Sequence, residues 1–406
     1  MNTSRFLKTT RPGIVMPLAI IVVVLLVALG TALLSLGLQG QVLGIRAGEA
    51  ISARAAADAA LTKAIFEMNE KLKVKPWSDS VLPNGTDMTL PNFDATFDYA
   101  VTGDATTGYA VQTSGKSGNI LRTIDSTLRL RTPFEFAIFA KDGLDLKSST
   151  TVDWYNYEAN DWNMQIGTNS IASGAITLKS GSMINGDVLV GPGGDPDVVV
   201  SQTDGVTITG TMYPMVEKFD LPPIVVPEAV QNLPFKGTIN NSVTISSSAR
   251  YDGINLLGNG KIITIVEPVT LYVTGDIILG NSAELRIGGP DDTDNDASLI
   301  LFLAGNISGN NSSGFNNLTK NAKNLTLYCL NSCQSAIFKN SSDFYGAVYA
   351  PEAYVEMKNS ADVYGSVIAE QFVMKNSAVF HYDAALRKIT LDDEAIRFVI
   401  KRWNEQ

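Results

Sequence analysis

Phe344–Leu386 reads FYGAVYAPEAYVEMKNSADVYGSVIAEQFVMKNSAVFHYDAAL. Lys-Asn-Ser stands just before this stretch at 339–341 and returns within it at 358–360 and 375–377, at intervals of 19 and 17 residues. Tyr345-Gly346 returns as Tyr364-Gly365 after 19. Each interval holds short runs rich in Val, Tyr, Ala and Phe, broken by Asn, Ser and Asp. Irregular repeats near 20 residues with short strands predict stacked coils of a parallel β-helix. Equivalent residues then lie on neighbouring coils, so Asn340, Asn359 and Asn376 are expected to form an amide column at a corner. A propeller would need units of about 40–50 residues, and none is visible.

Working outward, the same grammar extends over 134–388, in GAITLKSGSMINGDVLVG, SVTISSSARYDGINLL and TLYVTGDIILGNSAELRIGG. This span is expected to be one parallel β-helix domain. Beyond it, 389–406 contains LDDEAIRFVIKRWNEQ. Asp392, Asp393 and Glu394 suit a helix N-terminus, Lys401 and Arg402 suit its last turn, and Ile396, Val399, Ile400 and Trp403 share a helical face. A C-terminal capping helix is the expectation there. Upstream, 76–133 carries turns of Gly, Asn, Asp and Thr between alternating runs such as ATFDYAVTG and ILRTIDSTLRLR, which predicts a small antiparallel β unit.

The N-terminus differs in kind. Residues 1–13 form a leader with Arg5, Lys8 and Arg11 and no acid, and Ile14–Leu38 carries no charge. Such a run is long enough to cross a hydrocarbon core of roughly 30 Å as a helix. Basic residues on its N-terminal flank predict a cytoplasmic leader and an exported remainder, periplasmic or extracellular. A cleaved signal peptide would have a shorter apolar core. Ala50, Ala53, Ala57, Leu61, Ile65 and Met68 then recur at helical spacing, so one helix is expected over 14–75, ending near Pro76. The fold class is therefore mainly β: a long N-terminal transmembrane α-helix, a small antiparallel β unit, a right-handed parallel β-helix and a short C-terminal helix.

Net charge is −10, which argues against nucleic acid as a partner, since neutralising phosphates needs clustered lysine and arginine. Cys329 and Cys333 lie four apart; in an exported region they read as a disulfide pinning a turn, or as two buried free thiols. Asp292, Asp294 and Asp296 could present oxygens to Ca²⁺, but Leu303 stands where an EF-hand would place its bidentate glutamate, and a solvated loop is the simpler reading. No other cofactor is expected. Gly191–Asp197 lacks the Gly-Lys-Ser/Thr ending of a phosphate loop and reads as a plain connection.

In DWYNYEANDWN, Trp154, Tyr155 and Trp162 could stack on sugar faces or could cover the first coils. His381, the single histidine, has no nucleophile constellation around it and reads as structural. Polysaccharide-cleaving sites need converging carboxylates, which the sequence does not display. No catalytic residue is assigned, and no enzymatic activity is expected. A membrane-tethered carbohydrate-binding or polysaccharide-degrading β-helix protein is the alternative from another class.

The basic leader, Arg11-Pro12-Gly13, the apolar run from Ile14 and AGEAISARAAADAAL resemble the N-terminus of type IV pilins and pseudopilins, in particular the PilX and general-secretion K-type minor subunits. The resemblance implies prepilin cleavage between Gly13 and Ile14, partners that are the membrane and other pilin or pseudopilin subunits, and a structural role in a filament or secretion system. Leu18 occupies the fifth mature position, where major pilins carry glutamate, which favours a minor subunit. Residues 344–386 resemble an uncharacterised β-helical domain found behind PilX-type N-termini. By architecture the repeats also resemble bactofilin-like solenoids. The exposed head would serve adhesion or partner contact, with surface polysaccharide a further candidate partner.

Overall fold

In the computed structural model, the described residues are all except 1–14, 91–93, 158–162, 290–295, 340–341, 359–360, 376, 392, 394–395 and 406. They fall into two compact units. One contains the N-terminal helix, Trp77–Arg129 and Phe398–Gln406; the other contains Leu72–Pro76 and Leu130–Arg397.

Val15–Leu72 is a single α-helix of 58 residues, about 87 Å long at 1.5 Å per residue. Its first half projects alone: Leu18, Leu25, Leu34 and Leu43 are all exposed. This half is long and apolar enough to cross a membrane. The second half is built differently. Ala53, Ala56, Ala57, Ala60, Leu61, Ala64, Met68 and Leu72 are buried at helical spacing, and the small alanines bring the backbone close to a neighbouring sheet. That sheet consists of Asn84–Thr89, Ala95–Asp104, Gly108–Ser117 and Ile120–Arg131, paired antiparallel.

At Gly115 helix and sheet approach closely. A Cβ there would lie 2.0 Å from Ala53 O and 2.4 Å from Ala57 N. Beside it Thr113 Oγ1 donates to Ala57 O at 3.2 Å. Tyr99 OH donates to Glu67 Oε2 at 2.7 Å.

The C-terminal segment corrects the expected capping helix over 389–406. Arg397–Glu405 is a β-strand that lies next to Ile120–Arg131 in this sheet. Phe398 packs on Trp77 and Tyr109 with ring centroids 5.7 and 5.1 Å apart. The β-branched and aromatic content of RFVIKRW suits a strand, and an open sheet edge supplies hydrogen-bond partners that a lone terminal helix lacks.

The second unit is made of parallel strands, most of them short. Phe344–Met357 pairs with Val363–Met374, with Tyr345 opposite Tyr364 and Met357 opposite Met374. The repeat interval in the sequence is thus the register of the sheet. Its change from 19 to 17 has a local cause: pairing shifts between Ala350 and Tyr354, where Pro351-Glu352-Ala353 adds two residues. A separate four-stranded parallel sheet joins Val243–Ile245, Ile262–Ile265, Glu284–Ile287 and Gly314–Asn317.

Stacking order does not follow chain order. Ile138–Leu146 pairs on one side with Val363–Met374 and on the other with Gln165–Thr168 and Ile176–Leu178. From this first layer the chain moves away through Asp187–Val190 to Met212–Pro214. It then restarts at Thr238–Ile239 and returns layer by layer until the last layer docks on the first.

Residues 215–237 make the return connection along the outside of the sheet. Phe219 packs on Phe136 and Phe139 at 4.9 and 4.8 Å. Further along, Tyr349 OH donates to Pro222 O at 2.7 Å, and Arg250 Nη1 to Gln231 O at 3.1 Å. Two cores result. An inner one of Ile, Leu and Val lies between the strands, and an outer aromatic one of Phe136, Phe139, Phe219, Phe302, Tyr328 and Tyr349 lies under the connection.

Candidate functional surfaces

Two surfaces stand out, one in each unit. In the first, the exposed apolar half of the helix has no partner among the described residues for side chains such as Leu26, Leu33 and Leu36. Thr31 turns its hydroxyl back onto the carbonyls of Ala28 and Val27, at 2.9 and 3.1 Å. A hydroxyl satisfied within its own helix suits an apolar solvent.

In the second unit the parallel register assembles a column of rings. Tyr345 lies opposite Tyr364, Tyr364 opposite His381, and His381 opposite Asp153. The tyrosine rings stack at 4.3 Å and 8°, and His381 stacks on Tyr364 at 4.4 Å. His381 Nδ1 is 2.5 Å from Asp153 Oδ1, and Nε2 is 3.7 Å from Asp362 Oδ2. Burial opposes charge on the imidazole, but the hydrogen bond and charge of Asp153, with Asp362 behind it, raise its pKa above the ordinary value. Burial likewise pushes the phenols of Tyr345 and Tyr364 up. The column is a partly exposed stack held by backbone register, with His381 and its carboxylate partner at one end. His381 therefore has a defined partner in Asp153, which sequence inspection did not single out because the two are 228 residues apart.

The sequence candidates are distributed unevenly. Tyr155 joins the column, with its ring edge-on to Tyr364 at 5.0 Å. Trp154, its neighbour on the strand, packs instead on Tyr382 and Tyr157, with the Arg387 guanidinium 5.2 Å from its ring centroid. Strand alternation separates the pair, so they do not form one sugar platform. Trp162, Gly13, Ile14, Asp292 and Asp294 lie outside the described residues, as does the expected column of Asn340, Asn359 and Asn376. Asp296 is exposed. Among the described residues no group of three His, Cys, Asp or Glu side chains could hold a metal ion.

Cys329 and Cys333 are both buried and stand unbridged in the structure. The side-chain hydrogen bond with Cys333, together with burial, pushes the Cys329 thiol up. Cys333 Sγ also contacts Ser335 O at 3.9 Å. In the loop at 191–197, Asp195 accepts from Asp197 N at 3.0 Å and caps the short helix Pro196–Val199, a purely local task.

Residues 250–389 match the model of a domain of unknown function, DUF7305. The matched stretch contains Tyr345, Tyr364 and His381 but not Asp153. No curated protein matches the sequence. Among solved structures, the competence-associated pilin ComZ from Thermus thermophilus is similar over 88% of this chain and 97% of its own, at 12% identity and a TM-score of 0.26. An ice-binding protein from the Antarctic ascomycete Antarctomyces psychrotrophicus is similar over 61% of this chain and 94% of its own, at 13% identity and a TM-score of 0.28. The DUF3494 domain of a Shewanella frigidimarina ice-binding protein covers the same shares at 15% identity and a TM-score of 0.30. Likeness at this level defines neither a fold nor a role for this chain.

Proposed function

We propose that this protein is a membrane-anchored, extracytoplasmic minor pilin or pseudopilin subunit of the PilX or K-type class. It takes part in assembling a type IV pilus or secretion pseudopilus, and its role is structural and non-catalytic. The observation that carries this reading is the division of one 58-residue helix into an exposed apolar half and an alanine-faced half seated on an antiparallel sheet. The first half suits a bilayer before assembly and the flanks of sister helices afterwards, because apolar side chains gain by leaving water in either setting. The basic leader ending at Gly13 supports processing there and a cytoplasmic N-terminus.

In this reading the second unit is the displayed head, a right-handed parallel β-helix whose last coil docks on its first. Such a stack gives a rigid surface, because each layer is hydrogen-bonded to its neighbours. The test is mass spectrometry of the N-terminal peptide from membrane-extracted protein. A chain that begins at N-methylated Ile14 is the expected result. An intact leader beginning at Met1 would refute the pilin reading and leave a plain single-span anchor.

A further inference from the structure

The parallel ladder continues one residue past the strand ends. Lys358 N donates to Phe338 O at 2.8 Å, Lys375 N to Met357 O at 3.1 Å, Lys147 N to Met374 O at 3.1 Å and Lys179 N to Leu146 O at 3.0 Å. Phe338, Met357, Met374, Leu146 and Leu178 are mutually in register. Lys339, Lys358, Lys375, Lys147 and Lys179 therefore occupy one column, each on the residue after these. Three come from the last layers of the chain and two from the first, so the column exists only because the ends of the unit meet. Adjacent strands lie roughly 4.8 Å apart, so five lysine positions are strung along about 19 Å.

Like charges on neighbouring strands destabilise a sheet. Only part of the repulsion is relieved internally. Glu356 accepts from Lys358 at 2.9 Å and from Lys375 at 3.0 Å, and Asp145 pairs with Lys147. Glu356 is buried, which raises its pKa, yet its bonds to the two ammonium groups hold it below the ordinary carboxylate value. Among the described residues Lys339 and Lys179 make no ion pair and are half-exposed. Five ammonium groups thus face two carboxylates, and the excess charge is concentrated at the two ends of the column.

We propose that this lysine column binds a linear acidic polysaccharide of the polyuronate class along the stack. A uronate chain carries one carboxylate per sugar, so a single chain laid along the stack can set one carboxylate against Lys339 and another against Lys179, the two lysines left without an ion pair among the described residues. Nucleic acid fits less well. Its phosphates are denser, at about 3.4 Å of axis per strand, and so bring more negative charge past Glu356 and Asp145 than one carboxylate per sugar does. Single strands also bind on aromatic platforms, whereas the outward positions beside the lysines are Ile337, Glu356, Val373, Asp145 and Thr177. The proposal does not depend on the pilin reading, because it concerns the second unit alone.

The test uses the full chain in detergent with polygalacturonate as the probe and neutral dextran as the control. Binding to polygalacturonate that weakens as salt is raised is expected, with none to dextran. The double variant Lys179→Gln/Lys339→Gln should weaken it about tenfold, since each exposed charge contributes modestly. Lys179→Arg/Lys339→Arg should retain it, and so should Lys116→Gln/Lys218→Gln, which removes the same charge elsewhere. Circular dichroism checks that the variants are folded, and the salt response of the unsubstituted chain is a measurement that needs no variant. Absence of polygalacturonate binding, salt-insensitive binding, equal loss in the Lys116/Lys218 pair, or displacement of polygalacturonate by a lower concentration of single-stranded DNA would each overturn the proposal.

Discussion

Asn69 on the long helix brackets the backbone of Phe398: its Oδ1 accepts from Phe398 N at 2.7 Å and its Nδ2 donates to Phe398 O at 3.2 Å. One side-chain amide thereby satisfies both main-chain groups of a residue 2% exposed. The pair ties the C-terminal strand to a helix that begins near the other end of the chain.

Asn69→Ala should consequently destabilise the first unit by about 2 kcal/mol or more, since buried donors and acceptors left without partners cost about 1–3 kcal/mol each. Urea unfolding followed through the fluorescence of Trp77 and Trp403 checks this. Asn69→Asp should recover only part of the loss, because a carboxylate accepts from Phe398 N but cannot donate to its carbonyl. An unchanged midpoint in Asn69→Ala would show that this bracket does not hold the strand.

Gly115→Ala should be among the most disruptive small substitutions in the first unit. The added methyl would meet helix backbone atoms, Ala53 O at 2.0 Å and Ala57 N at 2.4 Å, and backbone cannot rotate away as a flexible side chain can. A loss of about 1–3 kcal/mol is expected from overpacking. Gly143→Ala in the second unit is the comparison. Its nearest neighbour is Ala175 O at 3.7 Å, an ordinary contact, so thermal melting should be nearly unchanged there.

The His381–Asp153 contact should make stability depend on pH. Because the folded pKa of His381 is raised from 6.5, the folded state binds the imidazolium proton more tightly than the unfolded chain does. The stabilisation is then fully present below about pH 6.5 and fades as pH rises through the raised value. Denaturation midpoints measured across that window should fall with pH in the parent protein. They should fall less in Asp153→Asn, which removes the main group holding the proton. A parent whose stability rises over the same window would contradict the assigned direction.

Local pattern alone was enough for several features. A charge-free run followed by alanines at helical spacing dictates a long helix with two kinds of surface, because burial and exposure follow the 3.6-residue period wherever the helix is placed. The intervals of 19 and 17 residues were the sheet register itself, visible in the returns of Tyr345-Gly346 and of Lys-Asn-Ser before any coordinates. That Tyr364 lies opposite Tyr345 followed from this interval, whereas His381 and Tyr155 as neighbours of the tyrosines came only from the structure.

The errors and omissions have a common physical cause. RFVIKRW carries residues compatible with one face of a helix and equally with a strand, and the choice was made by an open edge at Ile120–Arg131 together with the side chain of Asn69. Periodicity says which side of an element is buried; it does not name the hydrogen-bond partner. Asp153 and the lysines at 147 and 179 were unremarkable in their own segments. They acquired their neighbours only when the layer carrying Ile138–Leu146 was enclosed between Val363–Met374 and Ile176–Leu178. By itself the sequence determined the anchor-like helix, the β-rich remainder and the spacing between layers, since each depends on residues a few positions apart. Only the tertiary structure decided which layers touch, because backbone edges pair with whichever compatible edge the fold brings within hydrogen-bond reach.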